Sequence, residues 1–552
     1  MSARVTASLF LLASLLIGLA QIALLPPFEG FDEPAHLSYI AQIAILGDPP
    51  GLGDHLWGLF DDYRRVAPTP YVSTPPFDRA SGWTYAEFFA AGPAAIARGA
   101  EAIHAPQAIG RPWRFGETEN WEIQHPPLYY RLLVPLYRWS EGWSLLAQLS
   151  LLRAASYLLA WLGLCVATAT AFALPAMRDD ADQGRWIAWA PALWPFLFPE
   201  WFPTMARLGN DSLIVLVVAL VWAVLMGLSR STSLAREALL GLLCGIGLLT
   251  KATFAPLVAA IAGITLLRAW RARGDGARLR ERLLAALVFG IAVGASAGWW
   301  YARNLAQTGQ VLMSTDLENM AKAGGPLAAF AEPGFLETYV RSWLGILISF
   351  SWAGTWSFVK PPSITVGPIV AFGCVLVAVH AAWLRRQPLI ERWFPFAALV
   401  LFLCALGYHS LGIIAAYGKG ATPGWYLHSI APAFAFIVGT TCAAMIAQRW
   451  FRIALTSAFA YALLLLTGGT ALNALAYGGC PVKSASGSDF GSVIGCVAQA
   501  GTIVDHLAIV ASPFVFIASY VAGCAVALVG FVRLARRWRP VTNGHPRSRA
   551  PD

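Results

Sequence analysis

The chain has 552 residues, of which 57% are hydrophobic and 12% charged, with 23 Trp and a formal net charge of +9. Soluble domains carry roughly 25% charged residues, so this balance excludes a soluble enzyme and indicates a polytopic membrane protein. The positive excess lies in short segments between apolar runs, where Lys and Arg set membrane orientation, which argues against a nucleic-acid partner.

Val5 to Leu25 is an apolar run long enough to span a bilayer. It is too long for a signal-peptide core and no small-residue cleavage site follows, so a retained first helix is expected. Directly after it comes Glu29-Gly-Phe-Asp32-Glu33-Pro-Ala-His36, three carboxylates and an imidazole within eight residues. Ionisable groups at a membrane boundary are costly without a task, and the cluster reads as a site. A carboxylate partly buried there has its pKa raised toward working pH and can take a proton from a hydroxyl. His36 to Leu46 reads as an amphipathic stretch along the membrane surface.

Further apolar runs lie near 152–174, 186–203, 211–228, 237–250, 252–268, 283–300, 364–384, 393–415, 427–447, 453–475 and 506–532, giving about twelve transmembrane helices. Lys251 and Pro256 divide the stretch from Leu239 to Leu267 in two. With both termini cytoplasmic, that split puts the Arg clusters (268–282, 385–392, 533–549) inside and leaves Arg207, Lys251, Lys419 and Lys483 in the short outer segments. All five lysines of the chain, Lys251, Lys322, Lys360, Lys419 and Lys483, fall outside. The expected architecture is all-α, with residues 1–475 as the catalytic region. Its outer cap is formed by the first and fourth outside loops, 26–145 and 302–363. An outer loop and last helix follow at 476–532, then a basic cytoplasmic tail at 533–552. Six of the eight cysteines lie within helices; Cys480 and Cys496 share one outer loop, where a disulfide would contribute about 3 kcal/mol in an oxidising compartment.

Several outer motifs recur in order. They are the Asp32-Glu33 pair, Glu122-Ile-Gln-His125-Pro-Pro-Leu128-Tyr-Tyr130, Ala206-Arg-Leu-Gly-Asn210-Asp211, Leu249-Thr-Lys251, Trp299-Trp-Tyr-Ala-Arg303-Asn304 and Gly424-Trp-Tyr426-Leu427. This set, running from residue 1 to about 450, resembles the GT-C superfamily of integral-membrane glycosyltransferases that use polyprenyl-phosphate-linked sugars. Individual segments are similar to those of the aminoarabinose- and mannose-transferring members, while the set as a whole looks closest to a bacterial branch whose substrate the resemblance does not give. Two positions depart from that pattern: His125 stands where some members have Lys, and Trp425 where they have Arg.

The resemblance implies a bacterial inner-membrane enzyme with its active site on the periplasmic face. It would move a sugar from a polyprenyl-phosphate donor to a hydroxyl of a lipid, glycan or protein, with inversion. It implies Asp32 as general base, with Glu33 and Asp211 as its catalytic companions. Lys251, Arg303, His125, Tyr426 and His428 would hold the donor phosphate, and His36, Asn304 and Lys419 would position the acceptor. Cations preorganised in a water-poor site stabilise a departing phosphate strongly. A divalent cation (Mg or Mn) is the candidate cofactor, with Asp32, Glu33 and His36 as candidate ligands. Plainer readings stand beside these: Asn210-Asp211 also fits the N-cap of a helix, Arg303 also fits interfacial snorkelling beside Trp299 and Trp300, and His36 and His125 also fit loop hydrogen bonding. No nucleotide-binding loop is present, so the donor must arrive already activated on a lipid. The alternatives are a glycan ligase using a polyprenyl-diphosphate carrier and a transporter or flippase for a lipid-linked saccharide.

Overall fold

The computed structural model describes residues 3–69, 82–174, 181–228, 233–356, 367–385, 390–481 and 495–537. Lys360, Lys483 and the tail beyond residue 537 lie outside the described residues.

The expected apolar runs are helical among the described residues, but two are interrupted: 186–203 breaks between Leu197 and Trp201, and 506–532 between Val510 and Pro513. Eight helices among the described residues are long and apolar enough to cross a membrane: Ala3–Leu24, Leu145–Phe172, Ala252–Arg271, Gly276–Thr308, Phe394–Tyr417, Trp425–Met445, Arg449–Tyr477 and Pro513–Arg536. Asp211–Leu228, Leu234–Thr250, Gly367–Leu384 and Ala181–Leu197 supply shorter apolar helices between them. The first helix lies against the last, with Gly523 and Gly530 admitting Ile17 and Phe10 at close range.

The division at Lys251 is real. Leu234–Thr250 ends where Lys251 turns extended (φ −158°, ψ 132°), and one 3₁₀ turn, Ala252–Phe254, leads into Ala255–Arg271. That break leaves the Lys251 side chain at a helix end. The Arg268 and Arg271 side chains occupy the opposite end of the next helix.

Three features differ from the sequence expectation. Glu33–Leu46 is a helix, but every residue from Glu33 to Ile43 is buried, so it is a core element and not a surface-lying one. The cap packs over it: Tyr39 donates a hydrogen bond to the His125 carbonyl (2.8 Å), and Trp57 N–H donates to Ser38 Oγ (3.0 Å). The first long loop also holds a small antiparallel ribbon, His55–Trp57 with Phe115–Glu119, in an otherwise helical protein. The second long loop contains an additional helix, Phe335–Ser351.

The end of that helix returns to the first loop. Glu200 accepts backbone N–H groups from Ala353 (2.6 Å) and Gly354 (2.9 Å), and Glu29 accepts hydroxyls from Thr355 (2.9 Å) and Tyr85 (2.9 Å). Both acids are fully buried, so these donors satisfy carboxylates that would otherwise be costly. Together they hold residues 352–356 beside the Glu29–Asp32 turn.

Candidate active site

The turn after the first helix has an unusual backbone. Phe28 and Asp32 both have φ 65°, and they are the only non-glycine residues with positive φ among those described. Asp tolerates the left-handed region better than most residues, but at a cost of order 1–2 kcal/mol. The turn leaves the Asp32 carboxylate partly accessible (24%), while the acids on either side are closed off. Trp121 Nε1 donates to Asp32 Oδ1 (3.0 Å) and Arg207 lies 3.8 Å from Oδ2. Burial, then the like charge of Glu122, push the Asp32 carboxyl above the usual carboxylate range, against the opposing pull of Arg207 and Lys251.

Arg207 joins Asp32 to a second acid. It donates to the Phe31 and Thr204 carbonyls (3.1 and 3.2 Å) and to Asp211 Oδ2 (3.3 Å). The other oxygen of Asp211 accepts from Lys251 (2.9 Å) and Ser429 (3.0 Å). Aromatic rings line this cluster. Phe31 stacks on Trp425 (4.3 Å between centres), Arg207 lies about equally near both rings (5.6 and 5.5 Å), and Lys251 sits 4.6 Å from the Tyr426 ring centre. Such cation–π contacts hold desolvated cations in place.

On the other side of Asp32, Trp121 continues into a buried polar knot. Glu122 lies 3.0 Å from His125 Nε2 and 3.6 Å from His36 Nδ1, and accepts from the Tyr130 hydroxyl at 3.4 Å; that hydroxyl is 3.0 Å from His36 Nδ1. Burial alone would raise the Glu122 carboxyl, but His36 and His125 hold it well below the usual range. Burial pushes His36 down to about 4.

The expected site residues divide into two groups. Asp32, Asp211, Lys251 and Tyr426 converge on one cluster, with His36 and His125 in the adjoining knot. Arg303 stands 5.0 Å from the Trp300 ring centre.

Four expected site residues stand apart from these two groups. Glu33 is fully buried and committed to Arg153, which donates to both carboxylate oxygens (2.7 and 2.6 Å) while its remaining donors reach the Leu25 and Pro26 carbonyls. Leu208 and Gly30 N–H also donate to Glu33, so its oxygens are taken up in fastening the turn. His428 is likewise closed off: Nδ1 accepts from Trp194 Nε1 (3.2 Å) and Nε2 meets the Phe350 carbonyl (3.0 Å), inside a ring of aromatic side chains. Asn304 is buried and bonds its own segment, at Val311 O or Trp300. Lys419 is exposed just beyond the Phe394–Tyr417 helix.

Cys480 and Cys496 are both buried and lie close to one another. Of the candidate metal ligands, Glu33 is bonded to Arg153 and His36 faces Tyr130 and Glu122; among the described residues no group of three His, Cys, Asp or Glu is arranged to hold a metal ion.

Arg207, Trp121, Glu122 and Arg153 were not given site roles by the sequence. Arg207 and Glu122 lie within motifs whose order is informative and Trp121 directly precedes one, but nothing in their spacing reveals that a Trp and an Arg will meet Asp32.

No protein-family model matches the chain, and no curated protein sequence matches it. Among solved structures it is similar to ArnT from Cupriavidus metallidurans bound to undecaprenyl phosphate (12% identity, 97% of this chain and 79% of that one, TM-score 0.44). It is also similar to the same protein in the apo state (12%, 97% and 78%, 0.43). A looser likeness is to the Archaeoglobus fulgidus oligosaccharyltransferase in the apo form (13%, 93% and 56%, 0.36).

Proposed function

We propose that the protein is a membrane glycosyltransferase that moves a sugar from a polyprenyl-phosphate donor to an acceptor hydroxyl at the outer face of a bacterial inner membrane. The observation that carries this reading is the setting of Asp32. It is the accessible acid in a buried charged cluster, on a strained turn, with its pKa raised toward working pH and two buried cations within the same network. The ordered outer motifs support the donor class.

In this reading Asp32 takes the proton of the acceptor hydroxyl as its oxygen attacks the anomeric carbon. The bond from that carbon to the phosphate oxygen breaks, and the polyprenyl phosphate leaves with the electron pair. A single displacement inverts the anomeric configuration. Arg207 and Lys251 stabilise the developing negative charge, with Arg303 and the Trp425 indole as further donors. Arg303 and Trp425 each have a buried N–H nitrogen with no hydrogen-bond partner among the described residues, the complement a phosphate requires. Asp211 acts as the counter-ion that fixes Arg207 and Lys251.

Mass spectrometry of envelope glycans from cells lacking the protein tests the reading. Loss of one sugar residue is expected. Loss of a whole polymer, or accumulated carrier lipid with unchanged sugar composition, contradicts it.

A further inference from the structure

Two buried atoms in the polar knot beside Asp32 have no hydrogen-bond partner among the described residues: Nδ1 of His125 and Oδ1 of Asn210. Their residues are only 7% and 0% exposed. They flank one hydrogen-bonded axis. Asn210 Nδ2 donates to the Tyr130 hydroxyl (3.5 Å), that hydroxyl reaches Glu122 (3.4 Å), and the same Glu122 oxygen faces His125 Nε2 (3.0 Å).

Both open atoms are acceptors. His125 Nε2 faces a carboxylate and donates to it, and in that tautomer the ring presents a lone pair at Nδ1. Asn210 is anchored through its amide nitrogen, which leaves the carbonyl oxygen. Glu122 between them is also an acceptor. A ligand that completes this arrangement must bring O–H or N–H donors; a phosphate, all acceptors, is the wrong partner. The open donors near the site, on Trp425 and Arg303, have the opposite character.

We infer that His125 and Asn210 form a subsite that reads the hydroxyls of a sugar ring, separate from the cations that hold the phosphate. The inference rests on the transferase reading above and moves His125 from the phosphate to the sugar. Tyr39 supports the assignment by fixing the His125 backbone through its carbonyl (2.8 Å), and Tyr130 by fixing the Asn210 amide.

The test uses the full chain in lipid nanodiscs. The donor probes are glucosyl, mannosyl and galactosyl phosphoryl undecaprenol and their congeners lacking one ring hydroxyl; the acceptor probes are the free methyl glycosides. His125→Gln keeps an N–H toward Glu122 and removes the Nδ1 acceptor. It is expected to weaken binding of the best fully hydroxylated probe about tenfold, while leaving one deoxy congener, already weakened in the wild type, unaffected. Asn210→Leu is expected to select a different congener. Equal losses across all congeners, in variants of wild-type thermal stability, overturn the inference. Cryo-electron microscopy of the wild type with each probe covers the case in which a variant does not fold. Ring-hydroxyl density at His125 Nδ1 or Asn210 Oδ1 supports the subsite; ordered water alone with every probe overturns it. Density with the carrier-linked probe assigns the subsite to the donor, and density with the methyl glycoside alone assigns it to the acceptor. If methyl glycosides bind at the pair but no carrier-linked sugar binds or is turned over, the transferase reading fails and the subsite stands.

Discussion

Lys251 Nζ lies 2.9 Å from Asp211 Oδ1, and Arg207 approaches the other oxygen of the same carboxylate at 3.3 Å. One acid thus fixes two cations that come from different parts of the chain, the end of one helix and the turn before another. With Asp32 ionised, two acids and two bases balance, so the site can be assembled without bound substrate.

Removing Lys251 therefore has a specific expected outcome. In Lys251→Met, Asp211 keeps Arg207 and Ser429, so the fold survives, but part of the charge stabilisation of the leaving phosphate is lost. The transfer rate is expected to drop about a hundredfold. A variant that folds and transfers at the wild-type rate would remove Lys251 from the mechanism.

The Glu33–Arg153 pair is predicted to matter for folding. Breaking a buried pair by removing one partner leaves an uncompensated charge, and Arg153→Met is expected to lose about 3–5 kcal/mol. Thermal unfolding in detergent reads this directly. The double variant Arg153→Met with Glu33→Gln should recover part of the loss; no recovery would mean that Arg153 stabilises the turn chiefly through the Leu25 and Pro26 carbonyls.

These two pairs also mark what the sequence could convey. The apolar runs and the break at Lys251 were legible because span length and charge placement are local signals. The Phe335–Ser351 helix was not, because Glu337 and Arg341 interrupt its apolar pattern. The burial of Glu33–Ile43 was hidden because the cap that covers it comes from later in the chain. Asp32, Asp211 and Lys251 stood out as charges at helix ends. Arg153 sat near the edge of an apolar run, 120 residues from its acid, and Arg207 looked like any outer cation. Pairings of this kind are set by the three-dimensional path and leave no spacing to read.

Two pH effects with different readouts are expected at neighbouring groups. Asp32 must be ionised to accept a proton, and its raised pKa places the acid limb of the rate profile above the ordinary carboxylate range. His36 affects stability instead. Its folded pKa, about 4, lies below the unfolded 6.5, so the unfolded chain takes up the proton first. Its contribution is intact above pH 6.5 and is lost as pH falls from there toward 4, on the order of 3 kcal/mol in all. Glu122, held below its usual range, adds a further loss as pH drops through the carboxylate range. His36→Asn keeps an acceptor for Tyr130 and removes the titration, so melting temperature against pH should flatten between those limits. An unchanged slope would assign the acid loss to other groups.

Cys480 and Cys496 are close enough for their thiols to interact. We expect them to oxidise to a disulfide in an oxidising compartment, with thiol-alkylation mass spectrometry showing both protected until reduction. Free alkylation of both in the protein taken from native membranes would show that the pair stays reduced.

The account depends most on Asp32, and the decisive measurement is the sugar-transfer rate of Asp32→Asn against wild type with a carrier-linked donor. The substitution keeps the shape of the side chain and can retain the Trp121 hydrogen bond, so folding and donor binding should persist. Loss of the base is expected to lower the rate about 10²–10⁴-fold. Transfer at the wild-type rate would show that another group takes the proton, and the mechanism proposed here would be wrong.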